Sequence, residues 1–247
     1  MTQATLNIGL LLCDDVDPEF RSTYGTYAQF FRESLHRVDK NIVLTPFRCV
    51  EDDFPADVSD FEGYLISGSR HGVYDGYPWI DRLSEFVRTC YARQIKTVGI
   101  CFGHQLIAQA LGGVAEKADV GWGFGIHRSF MTKSPDWDGE EQDSGFNLVV
   151  IHQDQVTALP PGFETFAHSD FCPHGVISDN KLALGIQGHP EFSKEFCAFR
   201  AKYRRELIGE EVYEKTLQSL EEMPLNADRA LGWITAFFRR DVKTTTS

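Results

Sequence analysis

The sequence is poor in positive charge, and this excludes some classes of partner. Its 247 residues include 24 Lys and Arg against 36 Asp and Glu, which gives a formal net charge of −12. Nucleic acids and anionic membrane surfaces are bound through positively charged faces. The charge balance therefore argues against nucleic acid and against a membrane surface as partners, although it does not identify a substrate.

Paired cysteines and leader segments are absent as well. No two of the six cysteines form a C-x-x-C pair, which argues against a disulfide framework and against a zinc site. The first residues lack the basic start of a signal peptide, and the apolar run at 8–12 is far too short to span a bilayer. We therefore expect a reduced, soluble, cytoplasmic protein with no bound metal.

Complete nucleotide-binding motifs are also missing. The glycine-rich segment 67–72 is not followed by the Gly-Lys-Ser/Thr that ends a P-loop. The segment 121–125 has Ile126 where a dinucleotide fingerprint needs its third glycine, and no strand–helix unit surrounds it. Neither segment is predicted to bind a nucleotide.

Apolar patterning predicts an α/β fold. With 42% hydrophobic and 13% aromatic residues, the chain can bury a sizeable core. Short apolar runs alternate with segments of helical periodicity, which is typical of parallel βαβ units. Strands are predicted at 6–12, 42–44, 63–67, 97–100 and 182–187, and helices at 24–37, 79–93 and 104–111. We therefore expect a mostly parallel open sheet flanked by helices.

The rest of the chain has a different character. Its middle contains short extended runs at 125–131 and 146–151. Between them, the acidic stretch at 133–141 is predicted to be a solvated loop. From about 195 to 240 the pattern predicts a C-terminal helical addition, followed by a frayed tail at 241–247. Because no repeat or linker is present, we predict a single domain over residues 1–247.

The segment Gly99-Ile100-Cys101-Phe102-Gly103 lies between an apolar strand and a helix. This G-x-C-x-G pattern has the form of a nucleophile elbow with cysteine in place of serine. Such a turn strains its central residue, and side chains two residues before and after it would collide. We predict that the sulfur of Cys101 is exposed above the sheet at a helix N-terminus, where the helix dipole favours thiolate. The N–H of Phe102 would act as one oxyanion donor.

The alternative for any free cysteine is a buried, small apolar residue. We adopt that interpretation for the other five cysteines, which are Cys13, Cys49, Cys90, Cys172 and Cys197. The flanking glycines and the strand–helix context make it the poorer interpretation of Cys101. The motif alone still leaves the role of Cys101 open.

A thiolate nucleophile needs a base that also protonates the leaving amine, and a group that orients this base. His189 and Glu191 follow the last predicted strand and are two residues apart, so in extended backbone they project to the same side. Ligands of open α/β sheets bind at such carboxyl ends of strands. Two other histidines near the motifs, His104 and His152, are interpreted as packing or hydrogen-bonded residues.

Taken together, these residues resemble the class I (triad) glutamine amidotransferases. The resemblance spans roughly residues 6–192 and implies a flavodoxin-like α/β fold. It also includes the segment 152–160, which looks like the substrate-side loop of members of the GMP-synthase type. The segments that carry it are Leu65-Ile66-Ser67-Gly68-Ser69, Gly99-Ile100-Cys101-Phe102-Gly103-His104-Gln105, His152-Gln153-Asp154-Gln155-Val156-Thr157-Ala158-Leu159-Pro160 and Gly185-Ile186-Gln187-Gly188-His189-Pro190-Glu191.

In such a family, a thiolate attacks the side-chain amide of glutamine and forms a γ-glutamyl thioester while ammonia leaves. The resemblance implies Cys101 as nucleophile, His189 as base and acid, and Glu191 as the residue that orients His189. The N–H groups of Ser69 and Phe102 would form the oxyanion hole. The implied substrate-binding residues are Gly68, Gln105, Gln153 and Asp154. No cofactor is implied, because thiolate hydrolysis needs only the triad and water.

Two positions depart from the usual pattern. Gly188 stands where a bulky aromatic residue usually precedes His-Pro-Glu, and Gly68-Ser69-Arg70 replaces the usual Gly-Gly-Pro. Both variants, together with the segment 226–229, look like the free-standing γ-glutamyl peptidases of plants, which hydrolyse glutathione-type compounds. The backbone donor at Ser69 would remain available. Gly188 is expected to widen the substrate pocket and so to admit more than glutamine.

Three functions follow from the sequence. The first is a cysteine hydrolase of γ-glutamyl amide bonds in a small molecule, favoured because 247 residues are too few to carry a synthase as well. The second is a glutaminase subunit that delivers ammonia to a separate synthase. The third is a catalytically inactive binding or regulatory module that has kept the fold, since a fold alone does not prove activity.

Overall fold

The computed structural model describes residues 4–137 and 145–241. These residues form eleven strands and eight α-helices, together with two 3₁₀ turns at Pro18–Phe20 and Cys49–Glu51. The strands are β1 (Leu6–Leu12), β2 (Ile42–Arg48), β3 (Gly63–Ile66), β4 (Lys96–Ile100), β5 (Val114–Lys117), β6 (Gly123–Met131), β7 (Phe146–His152), β8 (Asp154–Ala158), β9 (Glu164–His168), β10 (Val176–Ser178) and β11 (Ala183–Ile186). The helices are α1 (Arg21–Tyr24), α2 (Tyr27–Val38), α3 (Pro78–Ala92), α4 (Phe102–Ala110), α5 (Lys194–Tyr203), α6 (Arg205–Ile208), α7 (Glu210–Glu222) and α8 (Asp228–Arg239).

Nine of these strands form one sheet, in the order β2-β1-β3-β4-β11-β10-β9-β6-β7. The first five strands of that order run parallel to one another. From β11 onward each strand pairs with the next in antiparallel fashion. The parallel core flanked by helices confirms the predicted fold class. The antiparallel extension through β10 and β9 was not predicted, because these strands have only three and five residues.

The sheet is buried on both faces, and side chains alternate between two apolar clusters along each strand. In β1, Leu10 packs in one cluster with Phe31 of α2 and Ile234 of α8, and we call this side the α8 face. The neighbouring Leu11 packs in the other cluster with Leu106 of α4, and we call this side the α4 face. This alternation is the period of two that a strand imposes.

Local capping decides where the predicted helices begin. The helix predicted at 24–37 is interrupted at Gly25, whose φ is +87°, and α2 begins only after Thr26. The hydroxyl of Thr26 accepts from the N–H of Gln29 at 3.3 Å, and the N–H of Thr26 donates to Oε1 of Gln29 at 2.7 Å. This capping box satisfies two backbone donors that the first turn would leave unpaired.

The predicted C-terminal helical addition is present and consists of four helices, α5 to α8. Ser193 caps α5 by accepting from the N–H of Phe196 at 3.1 Å. Gly209, with φ +81°, separates α6 from α7. The last part of the predicted loop at 133–141 and nearly all of the predicted tail at 241–247 lie outside the described residues.

No helix within residues 4–137 and 145–241 has both the length and the apolar character that crossing a bilayer requires.

Candidate active site

The turn between β4 and α4 places Cys101 at the centre of the site. Cys101 has φ +52° and ψ −102°, a backbone conformation that side chains rarely adopt. A Cβ on Gly99 would lie 2.2 Å from the carbonyl of Gly103, and a Cβ on Gly103 would lie 2.6 Å from the oxygen of Ile66. Both flanking glycines are therefore required by the close approach of backbone, as the elbow pattern predicts.

Cys101 lines a cavity of about 240 Å³, yet only 5% of the residue is exposed. The prediction of an exposed sulfur is thus too simple, since surrounding loops enclose the elbow. All six cysteines are free and buried. Burial raises the pKa of the five other thiols, to about 12 for Cys90, Cys172 and Cys197. The pKa values of Cys13 and Cys49 are likewise raised by burial. These five match the predicted role of buried apolar residues.

His189 and Glu191 lie together next to Cys101. Nδ1 of His189 donates to Oε1 of Glu191 at 2.7 Å, and both side chains are buried. Burial alone would lower the pKa of His189. The charges of Glu191 and Cys101 outweigh it and raise the pKa well above the ordinary value of 6.5. The three predicted side chains therefore lie together, with Glu191 hydrogen-bonded to His189 and Cys101 beside the imidazole.

The imidazole of His189 is held in place from several sides. Its ring stacks on Phe192, with centroids 4.2 Å apart and an interplanar angle of 10°. Its backbone N–H donates to the carbonyl of Val149 in β7 at 2.8 Å. A Cβ on Gly68 would lie 2.9 Å from Cε1 of His189 and 3.6 Å from Cβ of Cys101. Gly68 therefore packs beside this pair instead of lining the cavity, where the sequence had placed it as a substrate-binding residue.

The two expected oxyanion donors are unpaired. Within the described part of the chain, neither the N–H of Ser69 nor that of Phe102 donates a hydrogen bond to protein. Ser69 lines the cavity, and its hydroxyl donates to the carbonyl of Cys13 at 2.8 Å. The next residue, Arg70, anchors this loop through Asp14 at 2.9 Å and Asp17 at 2.8 Å. Both N–H groups are free to bind a substrate oxygen.

The expected substrate-binding residues Gln105, Gln153 and Asp154 all line the cavity. The amide nitrogen of Gln105 donates to the backbone carbonyl of Asp154 at 2.7 Å and to Oε1 of Gln187 at 3.2 Å. The carboxylate of Asp154 accepts from the hydroxyl of Tyr74 at 2.9 Å, and burial raises its pKa. Asp154 begins strand β8, so the segment predicted as a substrate-side loop is in large part a strand.

His152 and His104 have the structural roles that the sequence predicted. Nδ1 of His152 donates to the carbonyl of Asp154 at 3.1 Å, and burial lowers the pKa of His152 to about 3. Burial likewise lowers the pKa of His104 to about 3. His104 packs against Gly185, where an added Cβ would lie 2.5 Å from Nδ1. Both imidazoles are therefore neutral at physiological pH.

The cavity wall also contains residues that the sequence did not identify. Tyr74, Lys117, Trp122 and Arg204 line it, and each comes from a different segment of the chain. None belongs to a recognisable motif, so no local signal could have identified them. They meet only because four segments converge at the cavity that Cys101 lines: the loop after β3, the end of β5, the link between β5 and β6, and the junction of α5 and α6.

The expected effect of Gly188 is wrong for this cavity. Gly188 is not among the residues that line it. A Cβ on Gly188 would lie 2.9 Å from Cβ and Cδ1 of Leu148 in β7. Leu148 thus occupies space beside the glycine, and Gly188 borders a separate cavity of about 20 Å³ rather than the cavity at Cys101.

In the described residues, no group of three or more His, Cys, Asp or Glu side chains is arranged to hold a metal ion. The side chains in reach of the cavity are instead suited to a nucleophilic attack on a carbonyl carbon. They offer a thiol, a hydrogen-bonded histidine and two free backbone donors.

Comparison with known proteins agrees with this geometry. The family model "Glutamine amidotransferase class-I" matches residues 23–196. This chain belongs to the class-I glutamine amidotransferases. Among its relatives is "Gamma-glutamyl peptidase 4" of Arabidopsis thaliana, 33% identical over 193 residues that cover 75% of this chain and 76% of that protein. A GMP synthase (glutamine-hydrolyzing) of Aromatoleum aromaticum is 30% identical over 149 residues, covering 58% of this chain and 27% of the synthase.

Solved structures of other glutamine amidotransferases have the same fold. The glutamine amidotransferase of Thermotoga maritima superposes with a TM-score of 0.70 over 96% of this chain and 97% of that chain, at 16% sequence identity. At that identity the likeness supports the fold alone.

Proposed function

We propose that this protein hydrolyses γ-glutamyl amide bonds of small molecules through a thioester on Cys101. The observation that carries the proposal is the buried hydrogen bond of 2.7 Å between His189 and Glu191 beside Cys101, which lines the cavity. The likeness to γ-glutamyl peptidases supports the substrate class. The free N–H groups of Ser69 and Phe102 support a reaction that passes through an oxyanion.

In the first half of the reaction, the thiolate of Cys101 attacks the γ-carbonyl carbon while His189 holds the thiol proton. The oxygen of the tetrahedral intermediate accepts from the N–H groups of Ser69 and Phe102. His189 then transfers its proton to the amide nitrogen, the carbon–nitrogen bond breaks, and the amine leaves. The raised pKa of His189 supports this step, because it favours the imidazolium that must donate.

In the second half, water hydrolyses the thioester. Neutral His189 removes a proton from the water, whose oxygen attacks the thioester carbon. Collapse of the second tetrahedral intermediate breaks the carbon–sulfur bond and releases the γ-carboxyl group of glutamate. The proton returns from His189 to sulfur, and Glu191 keeps the imidazole oriented throughout.

The α4-face side of the cavity is proposed to bind the amino-acid head of the substrate. Asp154 presents a partly buried carboxylate beside the hydroxyl of Tyr74, and its charge suits an α-ammonium group. The carboxamide oxygen of Gln105 accepts no hydrogen bond from the described residues, which leaves it for the same group. Gln153 lines the wall next to Asp154.

An alternative within this family is a glutaminase that delivers ammonia to a separate synthase. The likeness to a glutamine-hydrolyzing GMP synthase supports it. The two functions use the same residues and differ in the leaving group and in the need for a partner. High activity of the isolated chain, with no synthase recovered in a pull-down, would argue for the free-standing hydrolase.

The proposal also includes the cellular compartment and the domain organisation. The six free cysteines support a reducing, cytoplasmic compartment. The continuous nine-stranded sheet, covered on both faces, supports a single domain.

The deciding experiment is a substrate panel of glutathione, γ-glutamyl dipeptides and glutamine with purified protein. We expect glutamate release from the γ-glutamyl peptides, and turnover of glutamine alone would refute the peptidase function. The variant Cys101→Ser should fold normally and lose turnover. Near-normal activity of this variant would overturn the assignment of the nucleophile.

A further inference from the structure

The cavity is lined by charges of both signs. On the α4-face side, Asp154 and Asp75 present carboxylates near Tyr74, and Lys117 of β5, which pairs in register with Asp154, places a positive charge beside them. On the α8-face side, Arg204 lies with its guanidinium carbon 5.9 Å from the ring centroid of Trp122. Trp122 itself packs against the apolar cluster of the α8 face. Cys101 belongs to the apolar cluster of the α8 face and lines the cavity together with these charged groups.

Arg204 differs from the neighbouring arginines in having no acidic partner. Across residues 4–137 and 145–241, no carboxylate lies within 4.0 Å of its guanidinium, and its side chain donates no hydrogen bond. Arg70 binds Asp14 and Asp17, and Arg200 lies 3.8 Å from Asp17. Burial and the like charge of Arg200 lower the pKa of Arg204. A partly buried guanidinium without a partner is costly, and an incoming anion would remove that cost.

The position of His189 identifies which part of the substrate lies near Arg204. His189 must protonate the leaving amine, so the leaving group has to lie on the same side of Cys101 as the imidazole. His189 stacks on Phe192, which packs on Tyr27, and both belong to the cluster of the α8 face. Arg204 is the C-cap residue of α5, whose Phe196 packs on Phe192 with ring centroids 4.7 Å apart. The leaving group and Arg204 therefore share this side, and the glutamyl head occupies the other.

We propose that Arg204 binds a carboxylate on the leaving group, so that the preferred substrates are γ-glutamyl amino acids or peptides with a free C-terminal carboxylate. This inference rests on the proposed hydrolysis of γ-glutamyl bonds. The planar guanidinium offers two parallel donors to a carboxylate. Ammonia, the leaving group of glutamine, has no carboxylate to bind there.

The test compares substrates that differ only in this carboxylate. One pair is γ-glutamylglycine and γ-glutamylglycinamide, and a second is γ-glutamylalanylglycine and its C-terminal amide. For Arg204→Gln we expect kcat/KM to fall about tenfold or more on the acids, mainly through KM, since a charge-assisted hydrogen bond is lost. The amides and glutamine should change less than about twofold. Arg204→Lys should recover part of the activity on the acids.

The control is the adjacent residue. Arg205 is exposed and pairs with Glu210 outside the cavity, so Arg205→Gln should leave all substrates unaffected. Equal losses on acids, amides and glutamine in Arg204→Gln would overturn the inference and place Arg204 on the glutamyl head. Unchanged activity of Arg204→Gln on the acids would overturn it too. Failure of the wild-type protein to cleave any γ-glutamyl substrate would instead refute the proposed function.

Discussion

Nδ1 of His189 lies 2.7 Å from Oε1 of Glu191, and this contact determines which nitrogen is available for chemistry. A carboxylate only accepts, so Nδ1 carries the proton and Nε2 is left for exchange with Cys101. The pair is buried, and the charge of Glu191 therefore acts on the imidazole with little screening by water.

Glu191→Gln should keep the shape of the side chain and remove its charge. We expect kcat/KM for a γ-glutamyl dipeptide to fall about 10²-fold or more, because general acid–base catalysis is impaired. Without the charge that raises it, the pKa of His189 falls. The imidazolium is then lost at lower pH, so the alkaline limb of the pH–rate profile should move toward neutral pH.

The same pair predicts a pH dependence of stability. The pKa of His189 in the folded protein lies above its ordinary value of 6.5. Protonated His189 therefore contributes fully to the free energy of unfolding below pH 6.5. This contribution is lost as the pH rises through the pKa that His189 has in the folded protein. Glu191→Gln should lose this pH dependence in urea titrations. Glu33→Gln, on the exposed side of α2, serves as the control, and a matching loss there would contradict the assignment to His189.

Asp154→Asn tests the proposed site for the glutamyl head. We expect KM to rise about tenfold for peptides and glutamine alike, since both carry the same α-ammonium group, whereas kcat should change little. Steady-state kinetics with both substrates measures this. Asp119 is exposed and lies outside the cavity, so Asp119→Asn should have no effect. An effect of Asp154→Asn on peptides only would place Asp154 at the leaving group.

The sequence could predict those parts of the site that depend on local backbone geometry. The elbow at Cys101 follows from two glycines and a strand–helix junction. The proximity of His189 and Glu191 was predicted from extended backbone, but it arises in a turn, since β11 ends at Ile186 and Pro190 and Glu191 turn after the isolated bridge at His189. Tyr74, Trp122 and Arg204 could not be predicted, because their segments meet only through tertiary packing. The role of Gly188 could not be predicted from the sequence either. It depends on the bridge between His189 and Val149, which brings Leu148 against Gly188.

Gly68→Ala tests how closely His189 and Cys101 are packed. The added Cβ would lie 2.9 Å from Cε1 of His189, so the imidazole has to shift, and we expect kcat to fall about tenfold or more. Gly232 in α8 is the matched control, because a Cβ there meets no atom within 4 Å. Gly232→Ala should retain activity and raise the melting temperature, since alanine favours a helix by about 1 kcal/mol over glycine. Equal kinetics for the two variants would contradict the close packing.

Gly188→Ala distinguishes a wider pocket from a packing requirement. Because a Cβ at this position would lie 2.9 Å from Leu148, we expect a loss of about 1–3 kcal/mol in the free energy of unfolding from overpacking. The ratio of kcat/KM for γ-glutamylglycine to that for glutamine should stay unchanged, since Gly188 does not line the cavity. Combining it with Leu148→Val should recover part of the stability, because the smaller side chain makes room for the added methyl. If Gly188→Ala shifted the substrate ratio toward glutamine without loss of stability, the glycine would act through the substrate pocket after all.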